Sequence, residues 1–164
     1  MPATQWKPLK NIDMNCFACG PENSNGLKMT FESNGDQLRS RVTVPGHLRG
    51  WNNLVHGGIL STICDEAMSW SAIHLTQRFI LTKTMNVSFK KPALIETALI
   101  AKGYIKERLN ERKVIMTAEI YDETGDLCAS SEGEFVLFTP DQFRAMKLMP
   151  EELLNEMISM FKAN

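Results

Sequence analysis

Trp51-Asn-Asn-Leu-Val-His-Gly-Gly-Ile-Leu-Ser-Thr-Ile-Cys-Asp65 is the stretch whose reading decides the fold. A polar, glycine-marked loop runs here into a single long helical pattern from Gly57 to Thr76, and alternating segments lie on both sides of it. Ile59, Leu60, Ile63, Cys64, Ala67, Met68, Trp70 and Leu75 form a broad apolar stripe, opposed by Ser61, Thr62, Asp65, Glu66 and Ser69. Gly57 and Gly58 let a backbone or ligand approach closely, and the unpaired amides of a first helical turn attract an anion or oxyanion. From His56 to Asp65 the helix turns by about half a revolution and travels ~13 Å, so the two side chains are expected on opposite sides. If both serve one reaction, the site needs two copies of the chain, which favours a symmetric dimer. By pattern alone Asp65 reads as a solvated acid on the polar face or as a functional carboxylate, and the spacing does not choose.

Upstream, residues 26–33 alternate Leu27, Met29 and Phe31 against Lys28, Thr30 and Glu32, the pattern of a half-buried strand. Asn34-Gly35 signals a hairpin, residues 37–44 alternate again, and Pro45-Gly46 ends that strand. Downstream, residues 79–89 read as a strand with Leu81, Met85, Val87 and Phe89 on one face. Lys83 breaks that face, and Thr82, Thr84, Asn86 and Ser88 fall on the other. Residues 97–108, 111–122 and 127–138 read as three more strands, and 139–149 as a connection. Residues 150–162 form a short amphipathic helix opened by Pro150, its apolar side capping the domain or packing on a neighbouring subunit. The architecture expected is α+β, about six antiparallel strands around one long helix.

At 164 residues the chain is expected to be one domain, with residues 1–25 as a lead and 140–164 as a C-terminal connection and helix. A 43% hydrophobic content suffices for a sizeable core, and a net charge of −1 gives no bulk attraction for nucleic acid. No run approaches the ~18 apolar residues of a membrane span, and no signal peptide is visible, so a soluble, cytoplasmic protein is expected. Cys16 and Cys19 make a lone Cys-x-x-Cys, with Cys64 and Cys128 isolated elsewhere. A structural zinc site usually takes four ligands, so no metal and no cofactor is expected. A packed loop in a reducing compartment is the reading. His47 receives no role.

His56-Gly-Gly58 with an acid at Asp65 resembles the hotdog-fold acyl-CoA thioesterases, in particular their PaaI-like, phenylacetyl-CoA branch. Asn86-Val-Ser-Phe-Lys-Lys-Pro92 looks like the strand that follows the central helix in that family, and Cys16-Phe-Ala-Cys-Gly20 with Asn25-Gly-Leu27 like the N-terminal signature of one subgroup. The resemblance covers roughly residues 14–139. It implies a hotdog domain that pairs by continuing its sheet across two subunits, a homodimer or a dimer of dimers. The implied substrate is an acyl-CoA. The Gly57 amide would polarise the thioester carbonyl, and Asp65 of the other chain would act as general base or nucleophile. His56 would orient the loop or the thioester, and Thr82 would position water or Asp65. Gly58, Asn53, Thr84 and Asn86 are placed along the substrate, and Lys90 and Lys91 at the CoA phosphates. In one departure, several relatives carry an Asn six residues before the His, where this chain has Gly50. Two other functions fit the scaffold. A hydratase or dehydratase would use a His and an acid in a motif this chain lacks. An acyl-CoA sensor would need an effector segment, for which there is little room, and would not need Asp65.

Overall fold

The computed structural model describes residues 5–162. In chain order the elements are β1 (Lys7–Pro8), β2 (Glu32–Ser33), β3 (Gln37–Thr43), a 3-10 turn (Gly46–Leu48), α1 (Gly57–Thr76), β4 (Phe79–Phe89), β5 (Ala98–Asn110), β6 (Lys113–Tyr121), β7 (Leu127–Phe138), α2 (Pro140–Met146) and α3 (Glu151–Lys162). All strands join one antiparallel sheet in the order β1-β2-β3-β5-β6-β7-β4. The sheet wraps α1, whose Leu60, Ile63, Cys64, Ala67, Met68, Trp70, Ser71 and Ala72 are buried against it. The apolar stripe is therefore wider than expected on one flank, where Ser71 donates to the Ala67 carbonyl at 2.6 Å and is buried without an orphan hydroxyl.

Four expectations change. The strand expected over residues 26–33 contracts to Glu32–Ser33. Leu27, Met29 and Phe31 are buried as the alternation requires. Lys28 adopts φ 52°, however, and the Leu27 and Met29 amides bond to Phe17 and Ala18 carbonyls rather than to a strand. The two-residue β1 had no periodic signal and brings the strands to seven. Residues 139–149 are not a plain connection but carry α2. Thr139 Oγ1 accepts from the Gln142 amide while Gln142 Oε1 accepts from the Thr139 amide, a capping box with proline in the first turn. The Thr-x-x-Gln spacing was the signal for it. The fourth change is the register of β4, given with the site below.

The C-terminal helix lies where the pattern put it, and its apolar side caps the domain. Leu154 and Met157 are buried with Phe79 and Phe143, and Phe79 stacks on Phe143 at 4.6 Å between ring centroids.

Close packing of α1 on the sheet hinges on Gly103 of β5. A Cβ there would lie 2.4 Å from the Ala67 carbonyl oxygen and 2.4 Å from Ser71 Oγ. The first is helix backbone and cannot rotate away, so helix and sheet must separate. Gly103→Ala is expected to cost about 1–3 kcal/mol, and the melting temperature to fall by roughly 2–4 °C per kcal/mol for a chain of this size. A thermal melt within a degree of the parent would show that α1 can move without cost.

Candidate active site

The site begins where the loop of residues 49–56 turns into α1. His56 is the N-cap, with φ −61° and ψ 136°, and its Nδ1 accepts from the Gly58 amide at 2.9 Å. A neutral imidazole that accepts at Nδ1 carries its proton on Nε2. The His56 carbonyl takes the next two amides, Ile59 at 2.8 Å and Leu60 at 3.1 Å. That leaves the Gly57 N–H without an acceptor among the described residues, an unspent donor at the positive end of a 20-residue helix.

Gly57 opens on a cavity of about 350 Å³ whose lining includes Leu54, Leu60, Phe89, Lys90 and Lys91. The space beside its α-carbon is bounded by the Phe89 ring, 3.6 Å from where a Cβ would stand. Phe89 is 56% exposed, so this wall is apolar and open to solvent. Gly50, the departure from the family pattern, sits directly behind the cap. Its amide donates to the Leu54 carbonyl at 2.7 Å, and a Cβ would come within 3.2 Å of His56 Cα. An Asn here would require the loop to give by a few tenths of an ångström. Asn53 lies in the exposed turn that follows. Its carbonyl accepts from Ile95 at 2.9 Å and its side chain accepts from Asn52 at 3.4 Å.

Asp65 is half-buried, and its Oδ1 accepts from Thr82 Oγ1 at 2.8 Å. Burial raises its carboxyl above the usual range, and the Thr82 hydroxyl pulls the other way. The expected half-turn offset does not describe the pair as built. It counted His56 as a helical position, whereas its ψ lies outside the helix and its ring folds back onto Gly58. Gly57 and Asp65 both abut β4, one at Phe89 and the other at Thr82. What keeps them apart in one chain is travel along the helix, about 12 Å. One thioester carbonyl cannot touch both.

β4 itself corrects the expected row of polar side chains. The ladder to β7 slips between Thr82 and Thr84, where Lys83 is the extra residue. Thr82 pairs with the buried Phe135 and so faces α1, whereas Thr84 pairs with Glu134 and Asn86 with Glu132 on the opposite face. Asn86 lines a polar depression of about 480 Å³ on that outer face, with Tyr104, Lys106 and Glu132. Thr82 thus belongs to the Asp65 side of the sheet, and Thr84 and Asn86 do not. The bulge also resolves the Lys83 anomaly. Leu81 falls on the outer face and Met85, Val87 and Phe89 on the helix face, while Lys83 reaches Glu134 at 3.1 Å.

The lysine pair divides as well. Lys91 Nζ lies 2.6 Å from Asp122 and 2.7 Å from Asp126, which hold its proton more firmly than usual. The β6–β7 turn therefore already neutralises it. Lys90 is exposed and makes no ion pair among the described residues, so of the two it is the cation at the cavity mouth. Reasoning from sequence missed the two aspartates because they stand more than thirty residues from Lys91 and meet it only through the sheet.

A sheet wrapped on one long helix, an unpaired amide at that helix's start and a carboxylate two turns on define a class of protein. The thioesterase superfamily model matches residues 52–129, which include the cap, α1, β4 and the lysines. Among curated proteins the chain is 23% identical over 129 residues to the acyl-coenzyme A thioesterase THEM4 of Bos taurus, covering 77% of this chain and 52% of that protein. It spans about half the length of the curated relatives it matches. Among solved structures it superposes on the thioesterase superfamily protein RHA08564 with a TM-score of 0.67 at 25% identity, over 78% of this chain and 66% of that one. On E. coli PaaI, from the phenylacetic acid degradation operon, the TM-score is 0.62 at 16% identity, over 68% of this chain and 80% of that one. The resemblance to the hotdog-fold thioesterases is borne out, and the fold of this chain is the hotdog fold. No described helix is long and apolar enough to cross a membrane.

Proposed function

We propose that this chain hydrolyses acyl-CoA thioesters in the cytoplasm as a homodimer, or a dimer of dimers, whose sites each draw on two protomers. The observation that carries the reading is the unspent Gly57 amide at the mouth of an apolar-walled cavity, with the Thr82-held carboxylate of Asp65 too far along the same helix to serve it. β4 is an edge strand of the sheet, eleven residues long, and its outer edge has no strand partner among the described residues. A second copy added along that edge supplies an Asp65 to each Gly57.

In this arrangement the thioester carbonyl accepts a hydrogen bond from the Gly57 N–H, which stabilises the oxyanion as the carbonyl carbon becomes tetrahedral. The partner's Asp65 takes a proton from water as the water oxygen attacks that carbon, or attacks the carbon itself to give an anhydride that water then opens. The C–S bond breaks, and CoA leaves as a thiol once protonated. His56 holds Gly58 and keeps the Gly57 amide aimed outward. Thr82 fixes the rotamer of Asp65. The acyl chain lies against Phe89 and Leu60, and the nucleotide end of CoA meets Lys90. Gly58 and Asn53 stay on the loop and first turn beside the thioester, whereas the bulge turns Thr84 and Asn86 to the other face, away from this path. Lys91 is spent on Asp122 and Asp126 and takes no part in binding the nucleotide.

A panel of aromatic, medium-chain and long-chain acyl-CoA esters, followed by release of free thiol, tests the reading. Turnover of at least one ester is expected. Tight binding of every ester with no thiol released from a folded dimer would reject hydrolysis and leave the acyl-CoA sensor.

The two lysines should separate in the same assay. Lys90→Ala is expected to raise KM up to ~5-fold with little change in kcat, because one exposed charge contact contributes about 1 kcal/mol or less. The effect should shrink as salt is added. Lys91→Ala should leave KM nearly unchanged, since its charge is already matched by two aspartates. Equal KM effects from the two variants would place the phosphates on Lys91 after all.

A further inference from the structure

The sequence offered only a lone Cys-x-x-Cys, but folding adds a third donor from fifty residues away. Cys16 Sγ, Cys19 Sγ and a carboxylate oxygen of Glu66 lie within 4.8 Å of one another, and Cys16 Sγ stands 4.0 Å from Glu66 Oε1. We infer that Cys16, Cys19 and Glu66 form a binding site for a thiophilic divalent cation, zinc by its donor chemistry, that ties the N-terminal loop to the central helix. Tetrahedral zinc, with Zn–S near ~2.3 Å and Zn–O near ~2.0 Å, sets donors roughly 3.5–3.8 Å apart. The cluster reaches that by closing about one ångström.

Each donor is held in a way that suits a metal. The loop Cys16-Phe-Ala-Cys19-Gly20 is a tight knuckle in which the Gly20 amide donates to the Cys16 carbonyl at 2.9 Å. Only glycine fits after Cys19, because a Cβ on Gly20 would stand 2.4 Å from the Cys16 nitrogen. On the helix, Trp70 Nε1 donates to Glu66 Oε1 at 3.0 Å, and the Trp70 ring is stacked on Phe31 at 5.0 Å. The carboxylate is therefore oriented by a rigid outer partner, as ligating carboxylates are.

The charge balance points the same way. Two thiols and a carboxylate come together where Cys19 is buried and Cys16 and Glu66 are half-buried. None of the ion pairs among the described residues involves Glu66. Buried acids are normally paired with a cation or bound to a metal. Two sulfur donors select zinc over magnesium or calcium, which prefer oxygen. Three protein ligands leave the fourth position to water, so the site can form without any other residue moving in. The cation would bond Glu66 beside Asp65, fixing the turn of α1 that carries the catalytic carboxylate. This inference stands apart from the thioesterase reading and would survive its failure.

The test uses the full chain, purified under reductant without chelator. Metal content by mass spectrometry is expected to be stoichiometric zinc. Exchange for Co(II) should give a thiolate-to-metal charge-transfer absorption and the intense visible bands of a tetrahedral ion. Cys16→Ser and Cys19→Ser should lose both signals. Glu66→Gln keeps an acceptor for Trp70, so it should fold, as circular dichroism and a thermal melt would verify, yet bind zinc at least about tenfold more weakly. Zinc should raise the melting temperature of the parent and not of the cysteine variants. Three results would overturn the site. One is a metal-free parent whose free thiols give no Co(II) charge-transfer band. Another is a Cys16–Cys19 disulfide, seen as a loss of two hydrogens in mass in a parallel portion prepared without reductant and with free thiols alkylated at lysis. The third is zinc binding by Glu66→Gln as tight as the parent's, which would remove Glu66 from the ligand set.

Discussion

Gly57→Pro is expected to lower kcat by about 10²–10³-fold while Gly57→Ala stays within a few-fold of the parent, because only the first removes the amide hydrogen that meets the oxyanion. The contrast works because of where Gly57 sits. It is the first residue of α1, where proline's fixed φ suits the helix and no intrahelical bond is lost. His56 before it is extended, with ψ 136°, as a residue preceding proline must be. A Cβ at this position meets Phe89 at an ordinary contact distance of 3.6 Å, so the carbon that both variants add there fits as the chain stands. Both should therefore melt near the parent. Steady-state kinetics on one good ester decides the matter. If proline and alanine lower kcat equally, the effect comes from bulk beside Phe89, and the Gly57 amide is not the oxyanion donor.

The second large effect is expected at Asp65. Asp65→Asn should cost ~10²-fold or more in kcat/KM, the usual loss when a general base or nucleophile is removed. Asparagine retains an oxygen for the Thr82 hydroxyl and has the same shape, so the fold should be kept. Because the charged form is disfavoured by burial, the variant should be at least as stable as the parent at neutral pH. Co-incubation then tests the shared site. Gly57→Pro and Asp65→Asn chains, mixed under conditions of subunit exchange, form heterodimers in which one site has both an intact Gly57 and an intact partner Asp65. Up to a quarter of parent activity is expected at equal mixing (half of all dimers, each with one working site of two), a fraction set by statistical pairing. No recovery, with exchange verified by mass-labelled subunits, would mean that Gly57 and Asp65 do not meet across a dimer. A folded Asp65→Asn enzyme of near-parent turnover would reduce Asp65 to the solvated acid that the pattern also allowed.

How much of this was legible without coordinates depends on the range of the forces involved. α1, β4 and β7 have the bounds that periodicity gave them, because each pattern is long and ends at a turn, even where the bulge at Lys83 interrupts the alternation of β4. His56, Gly57 and Asp65 stood out because a loop-to-helix junction concentrates unpaired amides at a place the sequence marks with glycine. Thr82 against Asp65 followed from the family resemblance and is realised as a 2.8 Å hydrogen bond. The alternation through residues 27–31 predicted burial correctly and the strand wrongly. Side-chain alternation records which way residues face, whereas a ladder also needs amides free to pair, and those amides bond to the knuckle instead.

The sequence by itself determined the central helix, the four long strands after it, the C-terminal helix and the residues at the mouth of α1, since these rest on local periodicity, capping and turn chemistry, whereas the hotdog architecture was what the family resemblance implied. Only the tertiary structure decided the bulge at Lys83 that separates Thr82 from Thr84 and Asn86, because a ladder slips according to what its neighbour strand offers. It alone decided that Asp122 and Asp126 hold Lys91, and that Cys16 and Cys19 meet Glu66. Each of these contacts joins residues thirty or more positions apart, through side chains whose partners are chosen by the packing of the sheet on the helix. No spacing along the chain encodes that choice.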